Sequence, residues 1–210
     1  MNIAILGAGN VGGTLGKRWA QNGHQIVYVS REPTSEKMWA LLAETPGGTA
    51  TDHILAASIE ADAILLATPW AVVPGTLTAA GNLSGKVLLD ATNPIGPGLA
   101  LLLPAAGSGG QEVAHLSPGA RVVKIFNTTG WGNMADPLYG GESTALFLCG
   151  DDATAKGVAA ALAEELGFAV ADVGGLDKAH LLEAVALTWI NLAMVQGHGR
   201  DIAFKIVKRG

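Results

Sequence analysis

Hydrophobic positions along the chain follow two alternating spacings. Runs of about five apolar residues, such as Ile3-Ala4-Ile5-Leu6 and Ile64-Leu65-Leu66-Ala67, lack the alternation of a half-exposed strand and read as strands buried on both faces. Such runs predict strands over 2–6, 25–29, 63–67, 86–89, 122–126, 145–149 and 169–173, with a short one near 49–51. Between them, apolar residues three and four apart predict helices over 11–22, 35–44, 71–80 and 153–166. A long apolar helix over 176–195 has no strand after it. Strands separated by helical stretches imply stacked βα units, and so a doubly wound, mostly parallel α/β sheet with a small helical C-terminal part. The glycine- and proline-rich segment 94–110 reads as a loop over the carboxyl edge of the sheet, and 131–141 reads as a second.

Composition narrows the class. The chain has 210 residues, 49% of them hydrophobic and only 15% charged, which excludes intrinsic disorder. Cys149 is the only cysteine, so no disulfide forms within the chain. The net charge of −5, with no block of lysine and arginine, leaves no phosphate-binding stripe for nucleic acid. Mean hydropathy is +0.34, yet the most apolar stretches fall short of the roughly 20 residues that span a bilayer. The first residues, Met1-Asn2-Ile3-Ala4, do not resemble a secretory signal. A cytoplasmic protein with no membrane contact is the expectation.

The first predicted strand runs into Gly7-Ala8-Gly9-Asn10-Val11-Gly12, and a helix follows. G-x-G-x-x-G between strand and helix is the dinucleotide-binding signature of a Rossmann domain. Gly7 permits the sharp turn, Gly9 lets a pyrophosphate approach the backbone, and Gly12 lets helix and strand pack closely. An NAD enzyme usually places an acid at the end of the second strand, to bind the ribose hydroxyls. Here that strand ends in Ser30-Arg31, whose hydroxyl and guanidinium suit the 2′-phosphate of NADP. Glu32, past the strand end, reads as a solvated loop residue, and Lys37 offers a second positive charge.

Several further segments follow in a telling order: Ala67-Thr68-Pro69-Trp70, the Asp90–Gly96 loop, Lys124-Ile125-Phe126-Asn127-Thr128, Leu148-Cys149-Gly150-Asp151-Asp152, Leu182-Glu183 and the closing 197–205. In this order and spacing the whole chain resembles the NADPH:F-420 oxidoreductases and related reductases, including the N-terminal domain of the STEAP metalloreductases. The resemblance implies NADP(H) binding and hydride transfer to a small-molecule acceptor, a deazaflavin (F-420) or a flavin. It places Gly7, Gly9, Asn10 and Val11 on the pyrophosphate, Ser30 and Arg31 on the 2′-phosphate, and Thr68 and Pro69 beside the nicotinamide-side ribose. Asn93 and Pro94 would flank the nicotinamide. The F-420 enzymes carry a histidine near the nicotinamide where this chain has Asn127, a form closer to the metalloreductase domains.

The acceptor pocket is then expected between Asn127, Thr128 and Thr129 on one side and His198 in the tail on the other, beneath the 131–141 loop. Trp70 either borders that pocket or packs between helix and strand. No catalytic side chain stands out, and hydride transfer between stacked rings needs positioning more than acid or base. The five histidines lack metal-ligand spacing. Asp151-Asp152 reads as a helix N-cap followed by a second acid rather than a metal pair. Two rival readings are a small imine or ketone reductase, for which neither Lys124 nor Lys178 is a convincing proton donor, and an NADP-binding sensor without catalysis. Residues 1–150 are expected to form the NADP-binding domain, and 151–210 to complete the acceptor pocket and a homodimer contact through the apolar helix.

Overall fold

The computed structural model describes residues 1–102 and 104–209; Leu103, within the segment 94–110 read as a loop, lies outside the described residues. The elements run in the order β1 (Asn2–Leu6), α1 (Asn10–Gln21), β2 (Gln25–Val29), α2 (Glu36–Ala43), β3 (Thr49–Thr51), α3 (Ile54–Glu60), β4 (Ala63–Leu66), α4 (Val73–Ala80) and β5 (Val87–Asp90). Then come α5 (Gly109–Leu116), β6 (Arg121–Lys124), α6 (Trp131–Ala135), β7 (Leu138–Tyr139), β8 (Glu142–Ser143), β9 (Ala145–Gly150), α7 (Ala153–Glu164), β10 (Ala169–Asp172) and α8 (Ala179–Ile190).

Eight strands make one sheet in the order β10-β9-β6-β5-β4-β1-β2-β3, the doubly wound Rossmann arrangement. Pairing is parallel from β3 across to β6, antiparallel between β6 and β9, and parallel again between β9 and β10. The last two strands therefore run against the other six.

Alternation along β1 shows why its residues are all apolar. Ile3 and Ile5 face a core with Leu15 and Trp19 of α1 and Leu162 of α7, while Ala4 and Leu6 face another with Val73 and Leu77 of α4 and Leu182 of α8. Trp19 lies edge-on to Phe126 with ring centroids 5.6 Å apart, and its indole N–H donates to the Leu162 carbonyl at 2.9 Å.

Three expectations need correction. Residues 131–141 are not one long loop but the short helix α6 followed by the β7–β8 hairpin. The loop read over 94–110 stops short, because α5 begins at Gly109 with Ser108 as its N-cap. The helix read over 176–195 is a 3-10 turn at Leu176–Lys178, then α8, then a π turn at Asn191–Val195. Helix α3 was not expected at all; it is seven residues long and rich in alanine. No described helix is long and apolar enough to cross a membrane.

Candidate active site

The glycine loop leaves β1 at Gly7, whose φ of +108° is open to glycine and strained for other residues. A Cβ there would lie 2.7 Å from the Ala67 carbonyl oxygen, so the loop lies against the end of β4. A Cβ on Gly12 would come 2.1 Å from the Gly7 carbonyl oxygen, whereas one on Gly9 would meet nothing within 4 Å. Two glycines thus serve the fold and the middle one leaves space outside it. Gly9 caps α1 without a side-chain bond, and no acid occupies the first turn. The first helical bond is Gly13 N–H to the Gly9 carbonyl, so the N–H groups ahead of it have no helical partner.

A cavity of about 430 Å³ opens in front of this loop. Gly9, Asn10, Ser30, Glu32, Lys37 and Lys17 are on its wall, together with Trp131 of α6. The Ser30 hydroxyl accepts from the Glu32 N–H at 3.2 Å. Lys17 pairs with Glu44 at 2.7 Å. Arg31 is exposed, off the cavity wall, and without a polar partner among the described residues. Glu32 is exposed as expected but belongs to the wall, and Lys17 went unnoticed because it lies two turns into α1. Trp131 sits on the glycine-loop side.

Further along the same edge, β4, β5 and β6 deliver Thr68, Asn93 and Asn127. Parallel neighbours end at one edge, so these residues come together although 59 positions separate the first from the last. Asn93 Nδ2 donates to the Asn127 carbonyl at 3.0 Å, and Asn127 Nδ2 donates to Asn93 Oδ1 at 3.0 Å. Phe126, fully buried at φ +64°, makes the left-handed turn that sends the chain out of β6 before Asn127; such a conformation costs about 1–3 kcal/mol and is held by its surroundings. Asn127 Oδ1, Thr128 Oγ1 and Thr68 Oγ1 are all buried without a hydrogen-bond partner. Buried polar atoms are rarely left unpaired, and three of the five such side-chain atoms among the described residues lie along this edge. Pro94 is buried and Pro69 exposed beside them. Trp70 is half-buried and packs against the core on the α4 side of the sheet.

The tail closes the far side. Thr129 Oγ1 accepts from Asn133 Nδ2 at 2.8 Å, and the Ile202 carbonyl accepts from both Asn133 Nδ2 and Trp189 Nε1 at 2.8 Å. His198 is exposed on the turn after α8, and no hydrogen bond joins its ring to Asn127, Thr128 or Thr129 among the described residues. Asp152 is the N-cap of α7, accepting from the Ala155 N–H at 2.7 Å, and Asp151 accepts from the Leu176 N–H at 2.8 Å.

Sequence reading passed over the ion cluster beneath this edge. Lys124 Nζ donates to Asp90 Oδ2 at 2.9 Å and to the Thr92 carbonyl at 2.7 Å, and lies 3.0 Å from Glu183 Oε1. All three charged side chains are buried. Burial alone would lower the Lys124 pKa, but the adjacent Asp90 and Glu183 carboxylates outweigh it and hold it above the ordinary lysine value.

The Rossmann sheet and the relatives of the chain together define an NADP-dependent oxidoreductase. The family described as NADP oxidoreductase, coenzyme F420-dependent, matches residues 2–94. A candidate F420-dependent NADP-reductase from Arthrobacter sp. FB24 is 32% identical with a TM-score of 0.89, over 99% of this chain and 100% of that one. The chain belongs to this coenzyme F420-dependent NADP oxidoreductase family. A hypothetical protein from Sinorhizobium meliloti is 29% identical with a TM-score of 0.74, over 100% of this chain and 96% of that one. Metalloreductase STEAP3 of Rattus norvegicus is 28% identical over 186 residues, 88% of this chain; the chain spans 36% of that relative's length.

Proposed function

We propose that the protein transfers hydride between NADP(H) and a deazaflavin (F-420) or flavin-type acceptor. The observation that carries this reading is the row of unpartnered buried atoms, Thr68 Oγ1, Asn127 Oδ1 and Thr128 Oγ1, in continuation of the open glycine loop. The Gly7 turn and the free N–H groups of Gly9, Asn10, Val11 and Gly12 fit a pyrophosphate, helped by the dipole of α1. Ser30, Lys37 and the nearby exposed Arg31 fit the 2′-phosphate. Thr68 and Pro69 flank the nicotinamide-side ribose, and Asn93 and Pro94 the nicotinamide. Asn127, Thr128 and Thr129 form the acceptor wall, with His198 at its outer margin. NADPH, when bound, supplies the hydride. The residues along the edge hold the two rings together and keep water out, which is what this reaction asks of a protein.

Two lysines tell against imine or ketone reduction, which needs a proton donor. Lys124 is buried and bound to three oxygens, and Lys178 is half-exposed and paired with Asp177. NADPH oxidation measured with F-420, FMN and FAD in turn tests the proposal. Turnover with at least one is expected, and none with any of the three removes this reading of the acceptor. Leu181, Met194 and Val195 are exposed along α8 and the π turn, and we place a homodimer contact there. A monomeric mass by light scattering at micromolar protein would refute that contact.

A further inference from the structure

We propose that the buried cluster of Lys124, Asp90 and Glu183 is the positioning unit for the Asn93–Asn127 amide pair, and through it for the nicotinamide half of the cofactor. The proposal rests on the NADP(H) reading of the site. Each member leads directly to the edge. Asp90 ends β5 and is the register partner of Lys124, which ends β6, so the two loops bearing Asn93 and Asn127 spring from one ion pair. Asp90 Oδ1 accepts from the Thr92 N–H at 2.9 Å and from its hydroxyl at 2.6 Å, while Lys124 takes the Thr92 carbonyl. Thr92, the neighbour of Asn93, is therefore fixed through three of its polar groups.

Glu183 extends the unit to two helices. Its carboxylate accepts from the Gly109 and Gly110 N–H groups at 3.1 and 3.0 Å, at the start of α5. Only glycine leaves room there, because a Cβ on Gly109 would stand 2.8 Å from Glu183 Oε1 and 3.0 Å from the Pro94 ring. Glu183 and Pro94 thus both lie against the start of α5, and through it α8 is tied to the loop that flanks the nicotinamide.

Stability is a poor explanation for such a cluster. Removing three charges from water costs about what their attraction returns, and well-packed apolar residues in their place are often neutral or better. What apolar residues cannot do is hold both peptide groups that flank Thr92, and the second of them carries the Asn93 nitrogen.

Two variants separate positioning from simple support: Glu183→Gln, which keeps the shape and removes the charge, and Gly109→Ala, which keeps the charges and pushes Pro94 and Glu183 away from the start of α5. Titration calorimetry with NADPH and with 2′-phospho-ADP-ribose, which lacks the nicotinamide, reads each half of the site. Both variants are expected to bind 2′-phospho-ADP-ribose within about twofold of the unaltered protein, and to lose about tenfold in NADPH affinity. Equal losses for both ligands, or no loss for either while the melting temperature falls, overturn the proposal. If the unaltered protein binds neither ligand, the cofactor reading itself fails, an outcome distinct from a failure in the variants alone.

Discussion

The glycine loop predicts opposite behaviour for two substitutions three residues apart. In Gly12→Ala the new methyl lies 2.1 Å from the Gly7 carbonyl oxygen and 2.8 Å from Ile5 Cγ2. Neither neighbour is the free end of a flexible side chain, so loop and strand must part. Overpacking of this kind costs about 1–3 kcal/mol, and for a domain of this size each kcal/mol is worth about 2–4 °C in melting temperature. A fall of about 6–12 °C is expected from the upper end of that range. In Gly9→Ala the methyl meets nothing within 4 Å and the backbone, at φ −79°, is allowed for alanine. The folded protein loses about 1 kcal/mol for the poorer N-cap, a change of about 2–4 °C. On the proposed function, the same methyl stands in the path of the pyrophosphate. Loss of one charge-assisted hydrogen bond, about 1.5–3 kcal/mol, weakens NADPH about ten- to a hundredfold. Thermal melts and titration calorimetry on both variants decide the matter. Unchanged NADPH affinity in Gly9→Ala, or an unchanged melting temperature in Gly12→Ala, would refute this division of labour.

Other outcomes follow from the same geometry. NADPH should bind more tightly than NADH by about 1.5–3 kcal/mol, and Arg31→Ala and Lys37→Ala should each narrow the gap with little change in NADH binding; equal affinities for the two nucleotides count against the 2′-phosphate site. Asn127 does not titrate, and Lys124 stays protonated because its pKa is raised, so the rate of hydride transfer should be flat between about pH 6 and 8. Asn127→His should introduce a pH dependence and raise activity with F-420; a steep profile in the unaltered protein would show that another group takes part. Burial pushes the Cys149 thiol up to about 12, so iodoacetamide at pH 8 should label it only in the unfolded chain.

Much of the sheet was legible because its strands are uninterrupted apolar runs, and the glycine loop because its spacing lies between strand and helix. What escaped was non-local or weakly periodic. Helix α3 shows little apolar periodicity in its seven residues, Ile-Leu-Ala-Ala-Ser-Ile-Glu. Helix α5 begins with two glycines, but Ser108 and Gln111 stand in capping-box spacing. Their side chains meet at 3.0 Å, and the Ser108 hydroxyl accepts from the Gln111 N–H at 3.2 Å. That pair was the missed signal. The reversal of β9 has no local signature, since a strand reads the same in either direction. The cluster around Lys124 joins residues 34 and 59 positions from it, and no periodicity reports such a meeting. The glycines around Trp131 predict a loop over the acceptor, whereas α6 carries this residue to the cavity in front of Gly9.

The strap formed by the tail has a consequence for the order in which the protein is made. The Ile202 carbonyl holds Asn133 and Trp189, and the Phe204 carbonyl accepts from the Ala145 N–H at 2.8 Å. Gly7 to Gly12, Ser30 and Thr68 all leave the ribosome before Pro94, and about 110 residues more must follow before Phe204 appears. At typical elongation rates that interval is roughly 5–20 s. Throughout it, five adjacent strands from β3 to β5 are available to gather around a nucleotide, while the wall beside Asn127 has no strap. The nascent chain thus has the materials of its nucleotide cradle well before the wall opposite is braced.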